Sequence, residues 1–288
     1  MEVLKMLVTS KELFKISQEK GFAIPAPNFI DAQSMKDYVE VAEELNLPVI
    51  LALAEVHLEY ISLEEAAYFG KFYAEKAKVP IVLHLDHGMT PSIIKRAIDV
   101  GFTSVMIDAS QEDFETNVKK TKEIIEYAHP RGVVVEAEIG HVGSGVNYEN
   151  HEETDSQYTT VADAIQFVKE TQVDSLAVSI GTAHGMYKGI PEINFERLDE
   201  IAKAVETPLV LHGGSSSGDD NLNHCSLQGI SKINIFSDLV NAAQNGINNE
   251  EPKNYLELKE VVSNSMKNCL KHYYGVFCTN KIQVSAEI

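Results

Sequence analysis

Residues 79–110 read "VPIVLHLDHGMTPSIIKRAIDVGFTSVMIDAS". Two apolar, β-branched runs flank a stretch whose apolar residues fall at helical spacing, opened by Thr90-Pro91 and closed by Gly101. Such runs predict strands packed on both faces, which belong to parallel sheets with helical crossovers. The pattern recurs along the chain. Further strand-like runs are "GFAIPAPN", "LPVILAL", "GVVVEAEIG", "DSLAVSIG", "TPLVLHGG" and "ISKINIFSD", which makes eight in all. Helical stretches such as "DAQSMKDYVEVAEELN", "SLEEAAYFGKFYAEKAK" and "QEDFETNVKKTKEIIEYAHPRG" lie between them. Eight β/α units predict an α/β fold of the (β/α)8 TIM-barrel type, with "SKELFKISQEKG" as an extra N-terminal helix. A doubly wound open sheet is the alternative. No linker or low-complexity tract divides residues 1–288, so a single barrel domain is expected. The one long irregular segment runs from about Gly140 to Thr159, and loops of this length inside a domain often serve function.

The 288 residues are 44% hydrophobic and 23% charged, enough apolar material for a large core. The formal charge is −19, which argues against nucleic acid or an anionic membrane as partner. Small anionic substrates held by local donors are not excluded. Cys225, Cys269 and Cys278 form no CxxC pair, and "MEVLKMLVTS" has no signal-peptide pattern, so a reducing cytoplasm is expected. No apolar run reaches the length of a membrane span.

The polar residues of such a barrel acquire meaning from where the strands end, because active sites collect at the C-terminal rim. The expected strands end on Asn28, on His84-Leu85-Asp86-His87, on Asp108, on Glu136 and Glu138, on Gly181–Gly185, on His212–Ser215, and on Asn234 with Ser237-Asp238. Three ends place a histidine before a glycine: His87-Gly88, His184-Gly185 and His212-Gly213. A single rim histidine is as well explained by an ordinary hydrogen bond. Three converging on one mouth suit a zinc ion with its fourth position open to substrate. His57, His129, His141, His151, His224 and His272 lack this setting and are read as ordinary polar residues.

In a regular strand His84 and Asp86 share a face and His87 points the other way. His87 therefore joins a metal only if the chain leaves strand geometry there, which Gly88 would allow. Beside a metal ligand, Asp86 has three open roles: ligand, orienter of a histidine, or proton carrier. The turn "HGGSSSG" offers successive backbone N–H groups and hydroxyls before a helix expected near Gly218-Asp219. A nest of this kind suits phosphate. "NIFSD" after the last strand adds an amide, a hydroxyl and a carboxylate.

Together, "IPAPNFIDAQSM", "HLDHG", "SVMIDAS", "VEAEIGHVG", "DSLAVSIGTAHGMY", "LVLHGGSS" and "KINIFSDL" resemble the zinc-dependent class II ketose-bisphosphate aldolases of the fructose- and tagatose-bisphosphate type. The resemblance spans nearly the whole chain. It implies that His87, His184 and His212 hold zinc and that Asp86 exchanges a proton with the aldehyde oxygen. It also implies that Asn28, Gly185, Gly213, Gly214, Ser215, Asn234, Ile235, Phe236 and Ser237 bind dihydroxyacetone phosphate. Asp108 and Glu138 correspond to an alternative ion position, and a monovalent cation is a possible addition. The implied substrate is a small sugar phosphate, in carbohydrate metabolism akin to glycolysis, and the implied assembly a homodimer or homotetramer.

The sequence also departs from the family. The loop stretch Gly143-Ser144-Gly145-Val146-Asn147 lacks the acids usual there, leaving Glu149, Glu152 or Glu153 as substitutes. Ser215-Ser216 replaces a common Ser-Gly, Ser237 a threonine, and Ala52–Glu55 small Gly/Ser residues. Two other readings stay in view. One is a metal- and sugar-phosphate-binding barrel without turnover, and the other a metal-dependent hydrolase.

Overall fold

The computed structural model describes residues 6–142, 158–183 and 189–282. Eight parallel strands alternate with helices: β1 (Ile24–Pro27), β2 (Val49–Ala54), β3 (Ile81–Gly88), β4 (Ser104–Ile107), β5 (Val134–Ile139), β6 (Ser175–Val178), β7 (Leu209–Leu211) and β8 (Ile230–Ile235). Their hydrogen-bonded order runs β1-β8-β7-β6-β5-β4-β3-β2. A parallel bridge between Asn28 and Ala52, with Phe29 N–H donating to Ala52 O at 3.0 Å, joins the two ends. The sheet is thus a (β/α)8 barrel, as its run of strands predicts.

The outer helices are α2 (Ala32–Leu45), α3 (Leu63–Ala74), α4 (Pro91–Val100), α5 (Phe114–Ala128), α6 (Val161–Thr171), α7 (Phe195–Ala204), α8 (Asp219–Leu227) and α9 (Ser237–Glu250). The expected extra helix is α1 (Lys11–Lys20), which buries Leu13 and Phe14. The local signals for these helices are plain. Asp31 with Ser34 and Ser62 with Glu65 form reciprocal caps, Pro91 opens α4, and Gly101 closes it in a left-handed conformation.

One further helix, α10 (Tyr255–Val276), is not among those expected from the sequence. Only five of its residues are buried (Val261, Met266, Leu270, Tyr273 and Tyr274), a stripe too sparse to stand out in so polar a segment. It packs along α9 and α2, and the Tyr274 hydroxyl donates to Pro48 O at 2.9 Å. Among the described residues no helix is long and apolar enough to cross a membrane.

The strands are buried over almost their full length, which is why their sequences read as continuous apolar runs. The exceptions are informative. His84, Asp86, Glu136, Glu138 and Lys232 are all buried inside the barrel, where an ionisable group needs partners.

Candidate active site

Against β4, the register of β3 passes from His84↔Ser104 and Leu85↔Val105 to Gly88↔Ile107, so three steps on β3 face two on β4. The extra residue is a bulge at Asp86-His87. His87 itself takes the left-handed conformation, at φ 45°. Strand geometry is broken there as the metal reading requires, but not by Gly88. Gly88 serves close packing instead: a Cβ at that position would lie 2.4 Å from Met106 O. The bulge brings Asp86, His87 and His212 together, with one potential ligand atom of each within 4.8 Å of the others. The His87 and His212 rings meet edge to face, their centroids 4.4 Å apart.

Both carboxylate oxygens of Asp86 are held. Asn28 Nδ2 donates to Oδ2 at 2.8 Å, and Asn234 Nδ2 donates to Oδ1 at 2.8 Å. Burial alone would raise the Asp86 pKa, but His87, Lys232, His212 and His84 outweigh it and hold the carboxyl well below its usual range. For His87, burial disfavours the cation, yet Asp86 and the 2.7 Å pairing of Nδ1 with Asp108 Oδ2 push the pKa up to about 9. Burial, aided by the nearby Asp108 carboxylate, pushes Glu138 up to about 8. His87, Asp108 and Glu138 form a second group with ligand atoms within 4.8 Å of one another.

The opposite wall is built by the turn after β7 and the start of α9. Gly213 has φ 68°, and a Cβ there would meet Ala183 O at 2.3 Å. A Cβ on Gly214 would lie 2.5 Å from Ile233 Cγ2 and 2.6 Å from Asn234 O. No larger residue fits either place without moving backbone. Ser215 Oγ accepts from Phe236 N–H at 3.1 Å and from Asp238 N–H at 3.3 Å, locking the turn to the N-terminus of α9. Asp238 accepts from Ser216 N–H at 2.7 Å and also bonds the Tyr273 hydroxyl from α10. The start of α8 at Asp219 agrees with the helix expected near Gly218-Asp219. A turn and a helix N-terminus facing one cavity suit an anionic group.

Residues 8–281 match the sequence model of the family described as fructose-bisphosphate aldolase class-II. The chain belongs to this family. It is a class II aldolase, a carbon–carbon lyase of a generally metal-dependent family whose substrates are sugar phosphates. It is 38% identical over 248 residues to the Escherichia coli K12 protein described as uncharacterized protein YdjI, covering 86% of this chain and 89% of that one. The crystal structure titled as the YdjI aldolase of E. coli K12 superposes with a TM-score of 0.86 at 33% identity, covering 95% of this chain and 98% of that one. A fructose-bisphosphate aldolase from Campylobacter jejuni gives a TM-score of 0.82 over 98% of both chains; at 23% identity it speaks to the fold alone.

The cavity at this rim has a volume of about 480 Å³. Of the residues expected at the site, Asn28, Asp86, His87, Asp108, Gly213, Gly214, Ser215, Asn234, Ile235, Phe236 and Ser237 line it. His212 lies against His87, and Glu138 belongs to the cluster with His87 and Asp108. His184, Gly185, Glu149, Glu152 and Glu153 lie outside the described residues. Ala183, just before His184, is buried against Gly213.

Val56, His57, Met89, Gln111, His141 and Val142 also line the cavity, although the sequence marks none of them as a site residue and reads His57 and His141 as ordinary polar residues. His57 sits in the short helical turn Glu55–Glu59 after β2, with its ring 4.5 Å from that of Phe236. His141 follows β5 by two residues, and its Nδ1 lies 3.2 Å from Ser110 Oγ. Both stand just past a strand end, and His141 also follows a glycine, Gly140, so their place on the rim is the signal that separates them from an ordinary polar residue.

Proposed function

We propose that this cavity performs zinc-dependent, reversible cleavage of a ketose phosphate, of the fructose- or tagatose-1,6-bisphosphate kind, into dihydroxyacetone phosphate and an aldehyde. The observation that carries the reading is the meeting of Asp86, His87 and His212 beside a glycine-serine turn. Two imidazoles, with His184 as a third by resemblance, form a donor set that suits zinc and leaves a coordination position for substrate. When bound, zinc supplies Lewis-acid polarisation of the ketone carbonyl.

The chain's own groups do the rest. Asp86, ionised and held by two amides, is ready to accept the hydroxyl proton of the ketose in cleavage, and it returns that proton to the aldehyde oxygen in condensation. The Gly213–Ser215 turn and Asn234–Ser237 hold the phosphate of the three-carbon fragment. Asn28 and Asn234 keep the carboxylate at one angle to it. The same reading has residues 1–288 as one cytoplasmic barrel domain acting as a homodimer or homotetramer, an assembly that light scattering would check.

The test is a cleavage assay over a panel of ketose 1-phosphates and 1,6-bisphosphates, run on metal-free protein and after adding zinc. Activity that appears with zinc supports the reading, and undiminished cleavage without metal would refute it. Hydrogen exchange from dihydroxyacetone phosphate into solvent separates catalysis from binding alone, because it needs proton abstraction but no aldehyde.

A further inference from the structure

Beneath the cavity the barrel holds a second knot of charge that the proposed reaction does not use. Lys232, on β8, is completely enclosed, at 0% exposure. Its Nζ donates to Glu136 Oε1 at 2.8 Å, to Glu136 Oε2 at 2.9 Å and to His84 Nε2 at 3.2 Å. Asp86 Oδ1 lies 4.0 Å away. Glu136 Oε1 is also 3.0 Å from His212 Nε2, and His84 Nδ1 is 2.7 Å from Ser104 Oγ. The result is one continuous chain: Ser104, His84, Lys232, Glu136, His212.

The chemistry of these groups assigns the protons. An ammonium only donates, so His84 Nε2 accepts and its hydrogen sits on Nδ1. An ion-paired carboxylate only accepts, so His212 Nε2 carries a hydrogen toward Glu136. The remaining lone pair of His212 is then on Nδ1, on the far side of the ring from Glu136. Metal-bound histidines commonly have their second nitrogen pinned by a carboxylate in this way, which sets both tautomer and ring angle.

The lysine also has a blocking position. His84, Asp86 and Glu136 offer ligand atoms within 4.8 Å of one another, a group able to hold a metal ion. The Lys232 ammonium sits against all three. A buried ion pair is a poor source of stability, since an apolar pair of similar volume avoids the desolvation cost. Among the valines, isoleucines and leucines of this core, its presence calls for another explanation.

We propose that Lys232 is the resident cation of this lower group and that it fixes Glu136 as the acceptor that sets His212 for the metal. Glu136 and Lys232 are positioning residues. They keep His84 and Glu136 from competing for the ion above, and they hold His212 in the tautomer that presents Nδ1. The inference rests on the zinc reading of the site.

Zinc binding to metal-free protein, measured by competition with a chromophoric chelator and by elemental analysis, tests it without recourse to activity. Glu136→Gln should weaken zinc binding about 10- to 100-fold, the usual range for such outer partners. Lys232→Met, which keeps the length and removes the charge, should take up a second zinc equivalent at His84, Asp86 and Glu136. The double variant Glu136→Gln/Lys232→Met buries no unpaired charge and so guards against failure to fold. It should bind one equivalent, weakly, and nitrogen-15 histidine spectra of its metal-free form should show His212 losing its single Nε2–H tautomer. A folded double variant with wild-type zinc affinity and an unchanged His212 tautomer would overturn this inference alone. Wild-type protein that binds no zinc would instead overturn the zinc reading, and this inference with it.

Discussion

His87 Nδ1 and Asp108 Oδ2 lie 2.7 Å apart, tying the bulge of β3 to the end of β4. With Asp86 close by, this pairing raises the folded-state pKa of His87 to about 9, above its ordinary 6.5. A raised pKa gives stability that is complete below the unfolded value and is lost as pH rises through the folded one. Glu138, raised from 4.5 to about 8, has the same sign. The melting temperature of metal-free protein should therefore fall between about pH 6.5 and pH 9, and it should fall less in His87→Gln. Calorimetry in the presence of a chelator checks this, and equal slopes for the two proteins would contradict it.

Asp86 accepts from two amides and touches no bulk water of consequence, being 2% exposed. Asp86→Ala should lower turnover by about 10²- to 10⁴-fold, the range of a general acid–base contribution. Zinc content should stay at the wild-type level, because His87 and His212 remain. Elemental analysis alongside steady-state kinetics distinguishes this outcome from simple loss of the metal; normal turnover would remove Asp86 from its role.

Gly88 is packed against β4 so closely that an added Cβ would lie 2.4 Å from Met106 O and 2.7 Å from Ile94 Cγ1. Neither can yield cheaply, one being backbone and the other a buried core side chain. Gly88→Ala should cost about 1–3 kcal/mol or more in unfolding free energy, as overpacked cores do. Urea denaturation measures the loss, and a change below about 0.5 kcal/mol would show that the bulge can move aside.

His57 lines the cavity with its ring 4.5 Å from that of Phe236. His57→Ala should raise KM for the ketose phosphate several-fold, about 1 kcal/mol of aromatic packing being lost. Turnover should change less. A kcat that falls in proportion, with KM constant, would place His57 in the proton chemistry instead.

Much of this molecule can be read without coordinates, for a physical reason. A strand covered on both faces must be apolar throughout, so each polar residue in "HLDHG", "VEAEIG" or "KINIF" is an exception the chain has to compensate. That logic reaches the barrel, the rim lined by those expected residues that the structure describes, and the glycine turn. Lys232 was open to the same argument, since a lysine amid β8 has no cheap place to go. Its partner was not open to it, because Glu136 stands 96 positions away and is met only through closure of the barrel.

By itself, then, the sequence determined which elements form and which side chains reach the mouth, because local burial and turn chemistry are written in neighbouring residues. Only the tertiary structure decided how those side chains meet. The bulge that turns His87 inward exists in the pairing of β3 with β4. The acceptor for His212 comes from β5, and the brace on Asp238 comes from a helix outside the eightfold repeat. Each is a contact between segments distant in sequence, set by the geometry of a closed sheet rather than by any local pattern.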